Sequence, residues 1–252
     1  MPRDRHARVK PQVAAGRRAA AEAIAAGRAE ELLLVDGGDS PGLREVAEAA
    51  RHAGLGVRHT SRAELDRIAP DHRGVVATLR DVASSPLGER ELASFAFTED
   101  AVAVVLDGVT DPQNLGAAAR SCEAAGVAIL VTRIRRAAGP TPAAIRASSG
   151  ALLHLPQARV ANIPRAIARL QDAGFTVAGL DDAADLSIYD EPCPPGRVAL
   201  VIGSEGEGMS RLVRERCDLL VSLPMRGRVA SLNASASVAA ALYGWVLANH
   251  GR

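Results

Sequence analysis

This chain of 252 residues predicts an α/β protein: a mostly parallel sheet flanked by helices, preceded by a smaller α/β unit. Three observations lead there. From residue 101 onward, short apolar runs (101–106, 128–131, 177–180, 198–202 and 219–223) alternate with helical runs (115–125, 164–173, 209–216 and 236–249). Strands that alternate with helices are joined by crossovers and build parallel sheets. Polar turns interrupt the alternation at Asp111-Pro112-Gln113-Asn114-Leu115-Gly116, at Gly203-Ser204-Glu205-Gly206-Glu207-Gly208-Met209 and at Ser231-Leu232-Asn233. Each follows a strand-like run and precedes a helical one. All three therefore fall on the carboxyl edge of the sheet, where open α/β sheets bind ligands. Finally, the first eighty residues carry their own α/β pattern and are set off by Ser84-Ser85-Pro86 and Gly88.

Taken in order, residues 1–10 read as a basic arm. The alanine-rich run 13–26 reads as a helix closed by Gly27, and Leu32, Leu33, Leu34 and Val35 as a strand ended by Gly37-Gly38. A helix over 43–52 stops at Gly54. A strand at 57–59, a short helix at 64–68 and a strand at 75–79 complete a unit spanning 11–80. Residues 81–98 read as a linker, and 99–252 as the second domain. No internal repeat is present.

Composition narrows the function classes. The hydrophobic share is 48%, ordinary for a globular chain. The N-terminus has no apolar leader and no apolar run is long enough to span a bilayer, which predicts a cytoplasmic protein without membrane attachment. Cys122, Cys193 and Cys217 are scattered and fit neither a disulfide framework nor a zinc site, so no metal is expected. The formal net charge is only +1, but the cations cluster. The first thirty residues hold seven Lys/Arg against three Asp/Glu, and further groups are Arg133, Arg135, Arg136 and Arg146, then Arg226 and Arg228. Lys10 is the only lysine, and the arginine fork suits phosphate. Local patches of this kind bind nucleic acid without a large net charge. Aromatics at 2% speak against a base-stacking platform.

The turns themselves carry the candidate chemistry. Asn114 stands where a helix begins and serves as an N-cap or as a polar site residue. Gly116 removes a side chain in the first turn, which lets a ligand approach the backbone. Arg120 lies six residues on, among Ala117, Ala118, Ala119 and Ser121, and is either a site cation or a surface ion pair. The 203–208 turn has neither the G-x-G-x-x-G spacing of a dinucleotide site nor the lysine of a P-loop. Glu205 within it repels phosphate and favours a cationic or polar ligand, unless it only caps the next helix. Ser231 and Asn233 are helix caps or site residues.

Together these three segments resemble the motifs of the SpoU-type (TrmH-like) RNA ribose 2'-O-methyltransferases of the SPOUT superfamily, in family order and compatible spacing over residues 99–252. Residues 13–27 and His72-Arg73-Gly74-Val75-Val76-Ala77 are similar to the small substrate-binding domain of the bacterial 23S ribosomal RNA guanosine 2'-O-methyltransferase branch. The resemblance implies a trefoil-knotted catalytic domain, an N-terminal RNA-binding domain, S-adenosylmethionine as cofactor, RNA as substrate, and a homodimer whose sites take groups from both subunits. It puts Gly203, Leu223, Leu232, Leu180 and Met225 at cofactor-contacting positions. It puts Asn114, Arg120, Glu205, Ser231 and Asn233 at polar catalytic positions. Arg120 then positions the ribose and stabilises developing negative charge, since a guanidinium keeps its proton at any working pH. Three positions depart from the family pattern: Leu153 stands where the ribosomal branch has an acid, and Ala236 and Ala239 replace a valine and a glycine. The target is expected to be a guanosine of 23S ribosomal RNA. Transfer RNA, a resistance-type modification of the ribosome, and a non-catalytic RNA-binding or ribosome-assembly role are the other readings.

Overall fold

The structure, a computed structural model, describes residues 13–79, 87–229 and 231–249. The basic arm at 1–10 and most of the linker's first half lie outside these residues. The chain forms two compact units, Met1–Val82 and Ala83–Arg252.

The first unit is a four-stranded sheet in the order β1-β4-β2-β3, with β1 (Val13–Ala15), β2 (Ala29–Val35), β3 (Gly56–Thr60) and β4 (Val75–Leu79). Its helices are α1 (Arg17–Ala25), α2 (Pro41–His52) and α3 (Arg62–Ile68). The expected helix over 13–26 is therefore split. Gly16 adopts φ 92°, which a helix cannot accommodate, and Val13, Ala14 and Ala15 pair antiparallel with Thr78, Ala77 and Val76. Leu33 packs with Val13, Ala15, Val76 and Leu65 in one buried cluster. Its neighbours Leu32 and Leu34 are also buried and, alternating along the strand, face the other side. Buried His72 holds the turn before β4. The Gly74 N–H donates to its Nδ1 at 2.9 Å, so Nε2 carries the proton and donates to Asp66 Oδ1 at 3.0 Å.

The second unit is a six-stranded parallel sheet in the order β10-β8-β9-β5-β6-β7. Its strands are β5 (Val102–Asp107), β6 (Ile129–Arg133), β7 (Gln157–Val160), β8 (Thr176–Leu180), β9 (Val198–Gly203) and β10 (Leu219–Val221). Central β5 and β9 are buried at every position, as strands covered on both faces should be. The helices are α4 (Glu89–Ala93), α5 (Pro112–Ala124), α6 (Pro142–Ala147), α7 (Ile163–Asp172), α8 (Arg211–Arg214) and α9 (Ala234–Ala241). A π-helical turn, Leu242–Val246, continues α9 and places Trp245 fully inside, its indole N–H donating to the Glu191 carbonyl at 2.7 Å. No helix of the described residues is long and apolar enough to cross a membrane.

Residues 87–98, the last twelve of the expected linker, belong to this unit. Leu92 of α4 is fully buried, and Leu87 bridges Ala158 beside β7. Phe97 meets Phe175 edge-on at 4.7 Å, and Arg197 donates to the carbonyls of Phe97, Thr98 and Ala173. Gly116 does not open the backbone to a ligand, contrary to the expectation from sequence. A Cβ there would lie 2.4 Å from Ala147 Cβ and 2.5 Å from the Ala144 carbonyl, so the missing side chain admits α6 and not a ligand. Gly116→Ala is therefore expected to destabilise the protein by about 1–3 kcal/mol through overpacking. Urea unfolding checks this, and an unchanged midpoint would contradict the close α5–α6 contact.

Candidate active site

Parallel strands deliver their following turns to one edge, so the ends of β5, β8, β9 and β10 lie side by side. A cavity of about 280 Å³ opens there. Leu180, Gly203 and Leu232, three of the five residues expected to contact a cofactor, line it together with Glu205 and Ser231. Leu223 is buried and Met225 half-buried on the loop after β10, and neither belongs to the lining.

The glycine-rich turn has a specific construction. Ser204 and Gly208 exchange backbone hydrogen bonds at 3.1 and 2.9 Å, which folds the loop into a tight hairpin. Gly206 and Gly208 hold φ 81° and 66°, in the left-handed region. The hairpin returns so closely over Gly203 that a Cβ on it would sit 2.0 Å from the Gly208 carbonyl carbon. Any side chain at 203 would force the loop open.

Four carboxylates face the cavity, on Asp181, Asp182, Glu205 and Glu207, against the single cation Arg214. Arg214 Nε lies 3.0 Å from Asp181 Oδ2. Such a lining repels phosphate and favours a cationic ligand. No thiol contributes chemistry here. Burial pushes Cys217 up to about 12, and Cys193 up to about 11. Among the described residues no group of three or more His, Cys, Asp or Glu side chains could hold a metal ion.

A polar chain runs along the cavity mouth. Asn114 Nδ2 donates to Glu205 Oε1 at 2.8 Å. That bond orients the carboxamide, and its Oδ1 then faces Ser235 Oγ at 3.4 Å. Ser235 Oγ also lies 3.1 Å from Asn233 Oδ1. Asn233 Oδ1 accepts the Ala236 N–H at 2.8 Å and is the N-cap of α9. Asn233 is thus both cap and member of the chain. Asn114 is not a cap: Asp111 is, accepting the Gln113 N–H, and Asn114 is the third residue of α5, in its first turn. Glu205 caps no helix, since α8 begins after Ser210.

Arg120 stands apart. Six residues beyond Asn114, it is turned by about 240° around the helix axis. It is exposed and has no hydrogen-bond or ion-pair partner among the described residues. Within one copy of the chain it does not reach the Asn114–Glu205 pair.

Two site residues escape a reading of local pattern. Ser235 Oγ lies within reach of the Oδ1 atoms of both asparagines and donates its single proton to one of them at a time. Asp107, 3% exposed at the end of β5, accepts the Ser210 N–H on Oδ2 at 2.9 Å. Its Oδ1 lies 2.7 Å from Arg133 Nη2 at the end of β6. The second contact is ionic without an aligned hydrogen bond: neither Asp107 Oδ1 nor Arg133 Nε meets a hydrogen-bond partner. The signal that could have found Asp107 is a carboxylate closing the otherwise apolar run 102–107.

A sequence model of the SpoU rRNA Methylase family matches residues 101–243, and one for RNA 2'-O ribose methyltransferase substrate binding matches residues 13–83. The 23S rRNA (guanosine-2'-O-)-methyltransferase RlmB of Xanthomonas campestris pv. campestris is 38% identical over 217 residues, 84% of this chain and 86% of that protein. An uncharacterized tRNA/rRNA methyltransferase of Mycolicibacterium vanbaalenii is 37% identical over 235 residues, 92% of this chain and 74% of that one. The crystal structure of the SpoU methyltransferase AviRb from Streptomyces viridochromogenes, in complex with the cofactor AdoMet, aligns with a TM-score of 0.75 at 27% identity. That alignment covers 98% of this chain and 94% of that one.

Removing the Asp107 carboxylate orphans the Ser210 N–H and leaves half-buried Arg133 without its counter-charge. Asp107→Ala is expected to cost about 3 kcal/mol. Asp107→Asn, which keeps an acceptor for Ser210, should cost about 1–2 kcal/mol. Equal losses for the two in urea unfolding would mean that the Ser210 bond contributes nothing.

Proposed function

This chain belongs to the SpoU rRNA Methylase family, and we propose that its target is the 2'-hydroxyl of a guanosine in 23S ribosomal RNA. It is an RNA ribose 2'-O-methyltransferase that uses S-adenosylmethionine. Relatives at 35–38% identity whose substrate is 23S rRNA guanosine support the narrower target. The substrate-binding match over 13–83 supports giving the first unit the task of holding RNA.

The observation that carries the site assignment is the Asn114–Glu205 bond. It joins the start of α5 to the turn over the cavity, and so joins polar chemistry to a cofactor pocket. The residues present fit the cofactor. Gly203 leaves no side chain beneath the hairpin, Leu180 and Leu232 give apolar walls, and the four carboxylates suit a molecule bearing a sulfonium and an ammonium. When bound, the cofactor supplies a methyl group already activated by its positive sulfur.

The protein's own part is alignment and management of one proton. Glu205 Oε1 is held by Asn114, which leaves Oε2 to accept a hydrogen bond from the ribose 2'-hydroxyl and to draw off its proton as the new C–O bond forms. Asn114 is kept in one orientation by Glu205 on one side and Ser235 on the other. Ser231, exposed on the cavity wall, faces the ribose side. In this reading the 2'-hydroxyl also distinguishes RNA from DNA.

Arg120 completes the site from a second copy. Its exposed face on α5 and its lack of a partner fit a homodimer in which each Arg120 serves the other copy's Asn114–Glu205 pair. The trefoil knot belongs to the same family-based reading.

Methyl transfer from labelled S-adenosylmethionine to ribosomal RNA and to transfer RNA, with nucleoside mass analysis, tests the target. The expected product is 2'-O-methylguanosine in large-subunit RNA; its appearance in transfer RNA alone would overturn the assignment. Arg120→Ala and Asn114→Ala are each expected to lose nearly all activity while retaining cofactor. If Arg120 acts across a dimer, subunit exchange between the two inactive variants restores about a quarter of wild-type activity, because half the dimers are mixed and each holds one intact site. No recovery after verified exchange would place Arg120 in its own copy's site or outside catalysis.

A further inference from the structure

The carboxyl edge of the second unit is divided by charge. Around the cavity, at the β8–β9 end, stand Asp181, Asp182, Glu205 and Glu207. The other end is richer in cations: residues 124–171 contain seven arginines and not one Asp or Glu, and the carboxylate that reaches the end of β7, Glu89 of α4, is taken up by the Ala161 and Asn162 N–H groups. That segment supplies β6, α6, β7 and nearly all of α7.

Three of these arginines have partners within the unit. Arg133 pairs with Asp107, Arg159 Nη2 donates to the Ile134 carbonyl at 3.2 Å, and Arg169 pairs with Asp172. Arg135 and Arg136 differ. Both are exposed on the turn after β6, and neither has a partner among the described residues.

The turn that carries them is held at its base. The Ile134 N–H donates to the Val160 carbonyl at 2.9 Å, Arg159 holds the Ile134 carbonyl, and the Ala138 N–H donates to the Val109 carbonyl at 2.8 Å. Val109 leads directly into the Asp111–Asn114 turn. Arg136 itself holds φ 54°, a left-handed backbone that a long side chain adopts only at a cost. The backbone that carries these two guanidiniums is thus anchored next to the turn leading to Asn114, on the side of β5 away from the acidic cavity.

A ribose held at Asn114 and Glu205 carries a phosphodiester on each side. The four carboxylates repel phosphate in one direction, and the arginine-bearing turn after β6 receives it in the other. We propose that the Arg135–Arg136 turn is the surface on which the RNA backbone flanking the methylated ribose lies. The proposal rests on the reading of the chain as an RNA methyltransferase. Arginine suits the role, since its fork donates two parallel hydrogen bonds to phosphate oxygens.

The test is binding of the full chain to transcribed large-subunit ribosomal RNA across a salt series, with cofactor binding followed by calorimetry. Each phosphate contact on a single strand contributes roughly 0.7 to the slope of log K against log salt. The double substitution R135Q/R136Q is expected to lower that slope by about 1.4, with cofactor affinity unchanged. R135K/R136K should recover most of the slope. R169Q, at the far end of α7, should leave it as in the wild type. An unchanged slope and affinity in R135Q/R136Q would overturn the proposal and leave the methyltransferase reading standing. An equal loss in R169Q would also overturn it, because the effect would then be one of total charge. A wild-type chain that binds cofactor but no RNA would remove both readings together.

Discussion

The Asp107 carboxylate sits at the end of the central strand, with β9 on one side and β6 on the other. Nearly inaccessible to water, it must find its partners among its neighbours, and it finds one on each side. Oδ2 takes the Ser210 amide, which closes the glycine-rich turn that follows β9. Oδ1 faces Arg133, which begins the basic turn that follows β6. One buried charge therefore ties together the two loops that flank the Asn114 turn. A neutral side chain could fill the same space but could not hold both.

This arrangement explains how one sheet edge serves ligands of opposite charge. The cavity near β8 and β9 is lined by acids and suits a cation; the turn beyond β6 is basic and suits a polyanion. A field of either sign spread over the whole edge would attract one ligand and repel the other. Separation of the charges along the strand order, with neutral Asn114 and Ser235 at the boundary, lets both approach the same few atoms. Exposed charges several residues apart are screened by salt, so the division must be local to be felt, and adjacent strands keep it local.

Much of this was legible in the sequence, and what was not has physical reasons. The buried strands β5, β8 and β9 stood out because continuous apolar runs are what doubly covered strands require. The three turns stood out because glycine and polar residues interrupt those runs. β7 gives no such signal, since Gln157, Ala158, Arg159 and Val160 make a short edge strand with polar side chains at alternate positions. β1 reads as helix because Ala14 and Ala15 favour helices in isolation; pairing with β4 and the positive φ of Gly16 decide otherwise. Asn114 and Glu205 were identified by motif, but not their bond, which joins positions 91 apart in the chain. The contacts of Ser235 with Asn114 and of Asp107 with Ser210 are hidden for the same reason. Their partners lie 121 and 103 positions away, and no local periodicity encodes such a contact.

The site also depends on side chains that are absent. Leu115, Gly116, Ala118, Ala119 and Cys122 form the buried faces of α5, and all but Leu115 are small. Small residues let helix axes come close, and α5 uses this to pack against both α6 and α9. The approach of α9 brings Ser235 within reach of Asn114. Added volume on these faces would lengthen that contact before it touched any polar group, so a substitution remote from the chemistry could still uncouple it. With two faces occupied, α5 has one left to present outward, and Arg120 lies on it. The exposure of a cation that the family motif places in the active site is thus a consequence of how tightly its helix is packed.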